Sequence, residues 1–400
     1  MLRVPISEAQ PGMKLAMAVL HPRTGHRLLS EDYELDGNLI AKLRELEVHE
    51  VWIHYPNTDQ IKQYLSPMVV EHHGRMASMI ATVFDHVHRD AHAQMDFPEY
   101  RQTLRDLIEA LVGEPTSAAY ILELGGGGAN DFRHAGEVCF LSVLLGLKLQ
   151  GYLVMQRKRL SPFHARNVIS LGLGAMLHDI GMTLVDEEAR RRWEVTSDET
   201  DQAWRRHVLL GHRLVSGSIS PAASGTVLHH HQHFDGSGFP TRVDETGRRR
   251  GLIGEEIHVF ARIVCLANHF DRLRRPGDGT IRPRVAVLRR MLTGQLSRRF
   301  DPVVLATLPL VVPAYPPGSI VTLSSGQRAL VQHWHPDSPC QPTVQVLDDR
   351  DLPVLDARDE PVCHDLRQSP DLLIVEQDGC DVSQDNFRLV TPLRDINPAA

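Results

Sequence analysis

The sequence predicts a mainly α protein, a helical bundle flanked by small β-rich N-terminal and C-terminal domains. Two observations carry that expectation. From about Ser66 to Leu310 apolar residues recur at helical spacing, beginning with Val69, Met76, Ile80, Val83 and Val87; both ends instead alternate short apolar runs with turn residues. At 400 residues the chain exceeds one ordinary core, given roughly 150 residues per domain. The expected divisions are 1–62, 63–312 (bundle core about 120–310) and 313–400.

Each element follows from local pattern. QPGMKLAMAVLHPRTGHRLLSEDYEL reads as strand, Pro-Arg-Thr-Gly turn, strand. Asp36 to Leu46 reads as one helix, and Val51 to Tyr55 as a strand. Thr196-Ser197-Asp198-Glu199 has the form of a capping box and is expected to open the helix that carries His207. Tyr315-Pro316-Pro317-Gly318 closes the helical region; the segments around Ser324-Ser325-Gly326 then alternate like paired strands. The Gly125 to Gly128 run lacks a following Gly-Lys-Ser/Thr, so it reads as a joint rather than a phosphate loop.

Composition narrows the function. A net charge of −7 argues against a general nucleic-acid binder, which needs a broadly basic face. No apolar run approaches the roughly 20 residues of a membrane span; Val138 to Leu147 ends at Lys148, and the N-terminus has no stretch resembling a signal peptide. A cytoplasmic protein without membrane association is expected. Five scattered cysteines without a C-x-x-C pair indicate neither a disulfide framework nor a thiolate zinc site, and Cys139 and Cys265 read as core fillers.

The outlier is 23 histidines. His134 shares an inward stripe with Val138, Leu141 and Leu145, and His178 shares one with Val168, Leu171 and Ala175. Asp179 follows His178, His207 lies on a further helical segment, and His229-His230-His231 runs into the acidic glycine turn Asp235-Gly236-Ser237-Gly238. Neutral imidazoles around a carboxylate suit iron, manganese or zinc, and one aspartate can bridge two cations.

These residues resemble the HD-GYP domains, a branch of the HD metal-dependent phosphohydrolases, over about residues 120 to 310. His134 matches the first helical histidine, His178-Asp179 with Gly181 the HD-x-G motif, and His207 with Gly211 the H-x-x-x-G segment. His230-His231 with Asp235, Gly236, Gly238, Phe239 and Pro240 resembles HHE-x-x-DG-x-GYP; Ala261-Arg262-Ile263 and Phe300-Asp301-Pro302 match further stretches. The resemblance implies an HD-type bundle with two divalent ions, iron or manganese, bridged by Asp179. It further implies hydrolysis of cyclic di-GMP, with diguanylate cyclase domains or other signalling proteins as partners and room for a homodimer. His134, His178, Asp179, His207, His230, His231 and Asn268 are the implied ligands, and Asp179 the catalytic centre. Asp235, Gly236, Gly238, Phe239 and Pro240 are the implied contact turn, joined by Arg274 and Arg275 as guanidinium donors.

Several positions depart from that pattern. Asn130 stands where a third-metal glutamate would be, so two ions are expected rather than three. Met182 replaces a phosphate-contacting lysine, Gln232 a glutamate, Phe239 the tyrosine of GYP, and Asn268 the last metal-binding aspartate. Asn268 retains a carbonyl oxygen but no negative charge, and Asp271, one helical turn on, is the residue that could compensate. These losses keep open a second expectation, a signalling module that binds nucleotide or protein without hydrolysis.

Overall fold

The computed structural model describes residues 1–22, 25–91, 94–114, 131–243, 245–276 and 280–389; Asn130 and the Gly125 to Gly128 run lie outside them. The N-terminal part comprises β1 (Leu2–Pro5), β2 (Val19–Leu20), β3 (Arg27–Leu29), α1 (Gly37–Glu45) and β4 (Glu50–Ile53). Strand β1 pairs antiparallel with β4, and β2 with β3. The Asp36 carboxylate accepts the Leu39 N–H at 2.8 Å, capping α1 where sequence pattern starts it.

The bundle begins with α2 (Pro67–Arg89), whose Val69, Met76, Ile80, Val83 and Val87 are all buried as their spacing predicts. It continues through α3 (Phe97–Gly113), α4 (Asp131–Lys148), α5 (Gln150–Gln156), α6 (Pro162–Ala165), α7 (Ile169–Met176), α8 (Glu187–Thr196), α9 (Gln202–Arg205), α10 (His207–Val215) and α11 (Pro221–His229). A ribbon of β5 (Arg242–Val243) and β6 (Arg249–Arg250) leads to α12 (Val259–Arg274), α13 (Arg284–Leu292) and α14 (Pro302–Thr307). Helix α12 is buried without interruption from Val259 to Asp271, so it is the axis of the bundle rather than an amphipathic outer helix. It is pinned to α14 by Arg262, which donates to Asp301 at 2.6 Å; Tyr152 donates to the same carboxylate at 2.8 Å.

The chain then forms β7 (Ile320–Leu323), β8 (Arg328–His333), β9 (Thr343–Val346), β10 (Cys363–Asp365), β11 (Ile374–Gln377) and β12 (Cys380–Asp381). They make one six-stranded sheet in the order β10-β9-β8-β7-β11-β12. Val321, Leu323 and Val331 of this sheet join the bundle core, while Leu330 and Leu347 join the N-terminal core. No single helix among the described residues is long and apolar enough to cross a membrane.

One local expectation is overturned. Thr196 to Glu199 open no helix: α8 ends at Thr196, and Ser197 closes it in the left-handed region at φ 49°. The Asp198 carboxylate folds back to accept from Thr200, and Asp201 instead caps α9, accepting from Ala203 at 2.8 Å. A serine between two polar stretches satisfies a helix end as readily as a start.

Candidate metal centre

Four segments deliver the predicted histidines. His134 projects from the first turn of α4, His178 and Asp179 follow the end of α7, His207 opens α10, and His230 and His231 follow α11. All six residues are buried. Gly181 lets the segments approach, because a Cβ there would overlap the His207 carbonyl and lie 2.5 Å from the Gly211 nitrogen.

Asp179 divides the cluster. Its Oδ1 lies 3.4 Å from His207 Nε2 and 3.3 Å from His230 Nε2, and its Oδ2 lies 3.3 Å from His178 Nε2 and 3.7 Å from His134 Nε2. The ligand atoms of Asp179, His207, His230 and His231 fall within 4.8 Å of one another, as do those of His134, His178 and Asp179.

The outer hydrogen bonds fix the tautomers. His178 Nδ1–H donates to the Ala175 carbonyl at 2.8 Å, His207 Nδ1–H to Trp204 at 2.7 Å and His230 Nδ1–H to Val227 at 2.9 Å. His134 Nδ1–H donates to the Asp271 carboxylate at 2.6 Å, and Arg133 donates to the other oxygen at 3.3 Å. Each ring therefore turns an unprotonated Nε2 toward Asp179. Burial reinforces the neutral form, holding His134 down to about 4 and His207 to about 3. Burial alone would raise the Asp179 carboxyl, and the Arg272 guanidinium 2.8 Å away opposes that by favouring the ionised form. Four nitrogen lone pairs thus converge on an ionised carboxylate, an arrangement of acceptors that only a cation between them stabilises.

The two halves differ in how well they fit an ion. On the Oδ1 side, His207, His230 and His231 with Asp179 form a donor set suited to iron or manganese, and both ring nitrogens of His231 are buried without a hydrogen-bond partner among the described residues. On the Oδ2 side a cation already stands. Arg272 donates to Asp179 Oδ2 at 2.8 Å and, through Nε, to Asn268 Oδ1 at 2.9 Å, with its guanidinium 5.1 Å from the Trp193 ring centre. Asn268 is therefore beside the centre, but its oxygen is engaged by Arg272. Asp271 orients His134 from outside the cluster and does not replace the missing carboxylate.

The motif turn packs against the Oδ1 half. Phe239 stacks on His231 with ring centres 4.6 Å apart, and the Arg205 guanidinium lies 4.6 Å from the Phe239 centre. Asp235 accepts from the Ser237 N–H at 3.0 Å, and Gly236 takes φ 83°. A Cβ at Gly238 would lie 2.7 Å from the Gln232 Cα, which restricts that position to glycine. Gln232 ties the turn together: its amide donates to the Pro240 carbonyl at 2.7 Å and its oxygen accepts from Leu252 at 2.7 Å. A glutamate could not make the first bond, so this departure serves the turn rather than the ligands. Met182 is buried with Trp193, Trp204 and Phe239 in an apolar cluster.

Arg274 and Arg275 do not join the centre. They line a separate cavity with Arg3, Glu50, Trp52 and Asp378, and Arg274 donates to the Arg282 carbonyl at 3.0 Å. Sequence reasoning also missed two features. Arg272 is the i+4 neighbour of Asn268 on α12, a spacing that places the two side by side but does not show that Asp179 meets them. The His233, Cys265 and His269 ligand atoms, within 4.8 Å of one another, carry no contiguous motif.

Comparison with known proteins agrees with this geometry. Residues 152–304 match the family described as HD domain. Over 246 residues the chain is 26% identical to a cyclic di-GMP phosphodiesterase of Pseudomonas aeruginosa, covering 60% of this chain and 54% of that protein. It is 35% identical over 105 residues to a cyclic di-GMP phosphodiesterase response regulator of Xanthomonas campestris pv. campestris, covering 25% of each. With a cyclic di-GMP phosphodiesterase of Thermotoga maritima it shares 32% identity over 114 residues, 27% of this chain and 28% of the other. At most, then, the chain spans about half the length of these curated relatives.

Proposed function

Because the chain belongs to the HD-GYP branch of the HD-domain family, we propose that it is a metal-dependent phosphodiesterase that hydrolyses cyclic di-GMP to the linear dinucleotide or GMP in bacterial second-messenger signalling. The observation that carries the reading is the convergence of four unprotonated Nε2 atoms on the two oxygens of Asp179. His207, His230, His231 and Asp179 would hold the ion in the Oδ1 half. A divalent ion there supplies Lewis acidity toward a phosphoryl oxygen and acidifies a water for in-line attack.

The chain's own residues supply the rest. The backbone carbonyls and Asp271 hold the imidazoles in the ligating tautomer, and Phe239 and Trp204 shield the His231 side from water. Arg272, about a third exposed at 29%, presents a fixed positive charge where a negative phosphodiester would approach. On ion number this reading departs from the two expected: one ion in the Oδ1 half, with the Arg272 guanidinium standing in the other. It takes cyclic di-GMP and diguanylate cyclase domains as partners and the cytoplasm as compartment.

The ion pair between Arg272 and Asp179, together with Asn268, favours a second reading, a module that binds nucleotide or a signalling protein without hydrolysing it. Chromatography of products from manganese-loaded protein and cyclic di-GMP separates the two. Wild type is expected to yield linear dinucleotide or GMP, and Asp179→Asn to lose metal and turnover by on the order of 1000-fold. A wild-type protein that retains its ion but yields no product supports the binding module.

A further inference from the structure

We propose that His233, Cys265 and His269 form a second metal site, specific for zinc and separate from the Asp179 centre, which fastens the motif turn to α12. The three ligand atoms lie within 4.8 Å of one another and all three residues are buried. Their hydrogen bonds set the tautomers as in the Asp179 centre. The Ser237 hydroxyl donates to Asp235 at 2.6 Å, so the 2.9 Å contact between Ser237 Oγ and His233 Nδ1 is an Nδ1–H donation. His269 Nδ1–H likewise donates to the Cys265 carbonyl at 2.9 Å. Both rings are left with an Nε2 lone pair that is buried and lacks a hydrogen-bond partner among the described residues.

Cys265 and His269 are four residues apart on α12, so they share a helix face; Cys265 Sγ lies 3.8 Å from His269 Nδ1. His233 comes from the turn, three residues after His230, and its ring centre is 5.4 Å from that of His269. Glu199, ahead of α9, brings Oε1 to 3.9 Å from His269 Nε2, while Arg299 contacts its other oxygen at 3.4 Å. Two imidazoles, a thiolate and a carboxylate are a zinc donor set, and a thiolate with a carboxylate neutralises a dication in a buried site. On binding, the Cys265 thiol releases its proton to solvent as the sulfur–zinc bond forms. The Asp179 centre, with nitrogen and oxygen donors alone, has no such preference for a sulfur-seeking ion. An HD-GYP signature does not include any of the three residues, which is why pattern matching passes over them.

Cobalt(II) is the probe. In the loaded protein a thiolate ligand produces near-ultraviolet charge-transfer absorption that imidazole and carboxylate do not, so the band reports this site and not Asp179. Wild type is expected to show it, Asp179→Asn to keep it, and Cys265→Ser to lose it while retaining the ion of the Asp179 centre. Zinc is expected to raise the melting temperature of Asp179→Asn more than that of Asp179→Asn combined with Cys265→Ser. Cobalt-loaded wild type without the band, or a band that survives Cys265→Ser, overturns the proposal; should Cys265→Ser fail to fold, a band that survives His269→Gln at undiminished intensity overturns it equally.

Discussion

Three of the rings around Asp179 take their direction from carbonyls three residues upstream, at Ala175, Trp204 and Val227. The sequence names those histidines, but spacing alone does not say which nitrogen carries the proton. Arg272 shows the reverse limit: its i+4 spacing places it beside Asn268, yet the sequence does not show that it reaches Asp179 while Arg274 and Arg275 turn toward another cavity. Its pairing with Asp179 and Asn268 makes a specific prediction. Manganese analysis should find one manganese per wild-type chain and two in Asn268→Asp with Arg272→Ala, whose manganese resonance should show a coupled pair. Two manganese ions in wild type would contradict the assignment of that half to Arg272.

Elements bring these residues together through close approach rather than through motif chemistry. The turn at Gly181 packs against the start of α10 with no room for a side chain. Gly181→Ala should therefore displace α10, remove His207 from the cluster and reduce metal affinity by about 10- to 100-fold; unchanged affinity would show that the contact is dispensable. Helices α2, α4 and α7 were legible because their inward residues recur at helical spacing. Helix α12 was legible as an element but not as the axis, since a helix buried on every side offers no polar face to orient it. The false capping box came from Ser197, whose left-handed backbone ends α8. His233, Cys265 and His269 were invisible because proximity across two segments leaves no period in the chain.

At the scale of the whole molecule, the flanking β regions were recognisable by alternation, but their meeting was not. Leu330 and Leu347 complete the N-terminal core from more than 260 residues away, a relation no local pattern records. Buried polar groups also tie the fold to pH. His73, packed edge-on to Phe140 with ring centres 4.9 Å apart, is held down to about 4 by burial, against 6.5 ordinarily. Between those values the unfolded chain binds the extra proton, so stability falls as pH drops from about 6.5 toward about 4 and the loss levels off below. This one group contributes on the order of 3 kcal/mol to that loss. Denaturant melts of His73→Leu should show a shallower decline across that window than wild type, and parallel curves would contradict the assignment. The central claim is that the Asp179 cluster holds the ion that hydrolyses cyclic di-GMP. Its most direct test is the rate of cyclic di-GMP hydrolysis measured against manganese occupancy in one preparation. A rate that rises in proportion to occupancy from zero is predicted; a rate independent of occupancy, or no hydrolysis at full occupancy, would contradict it.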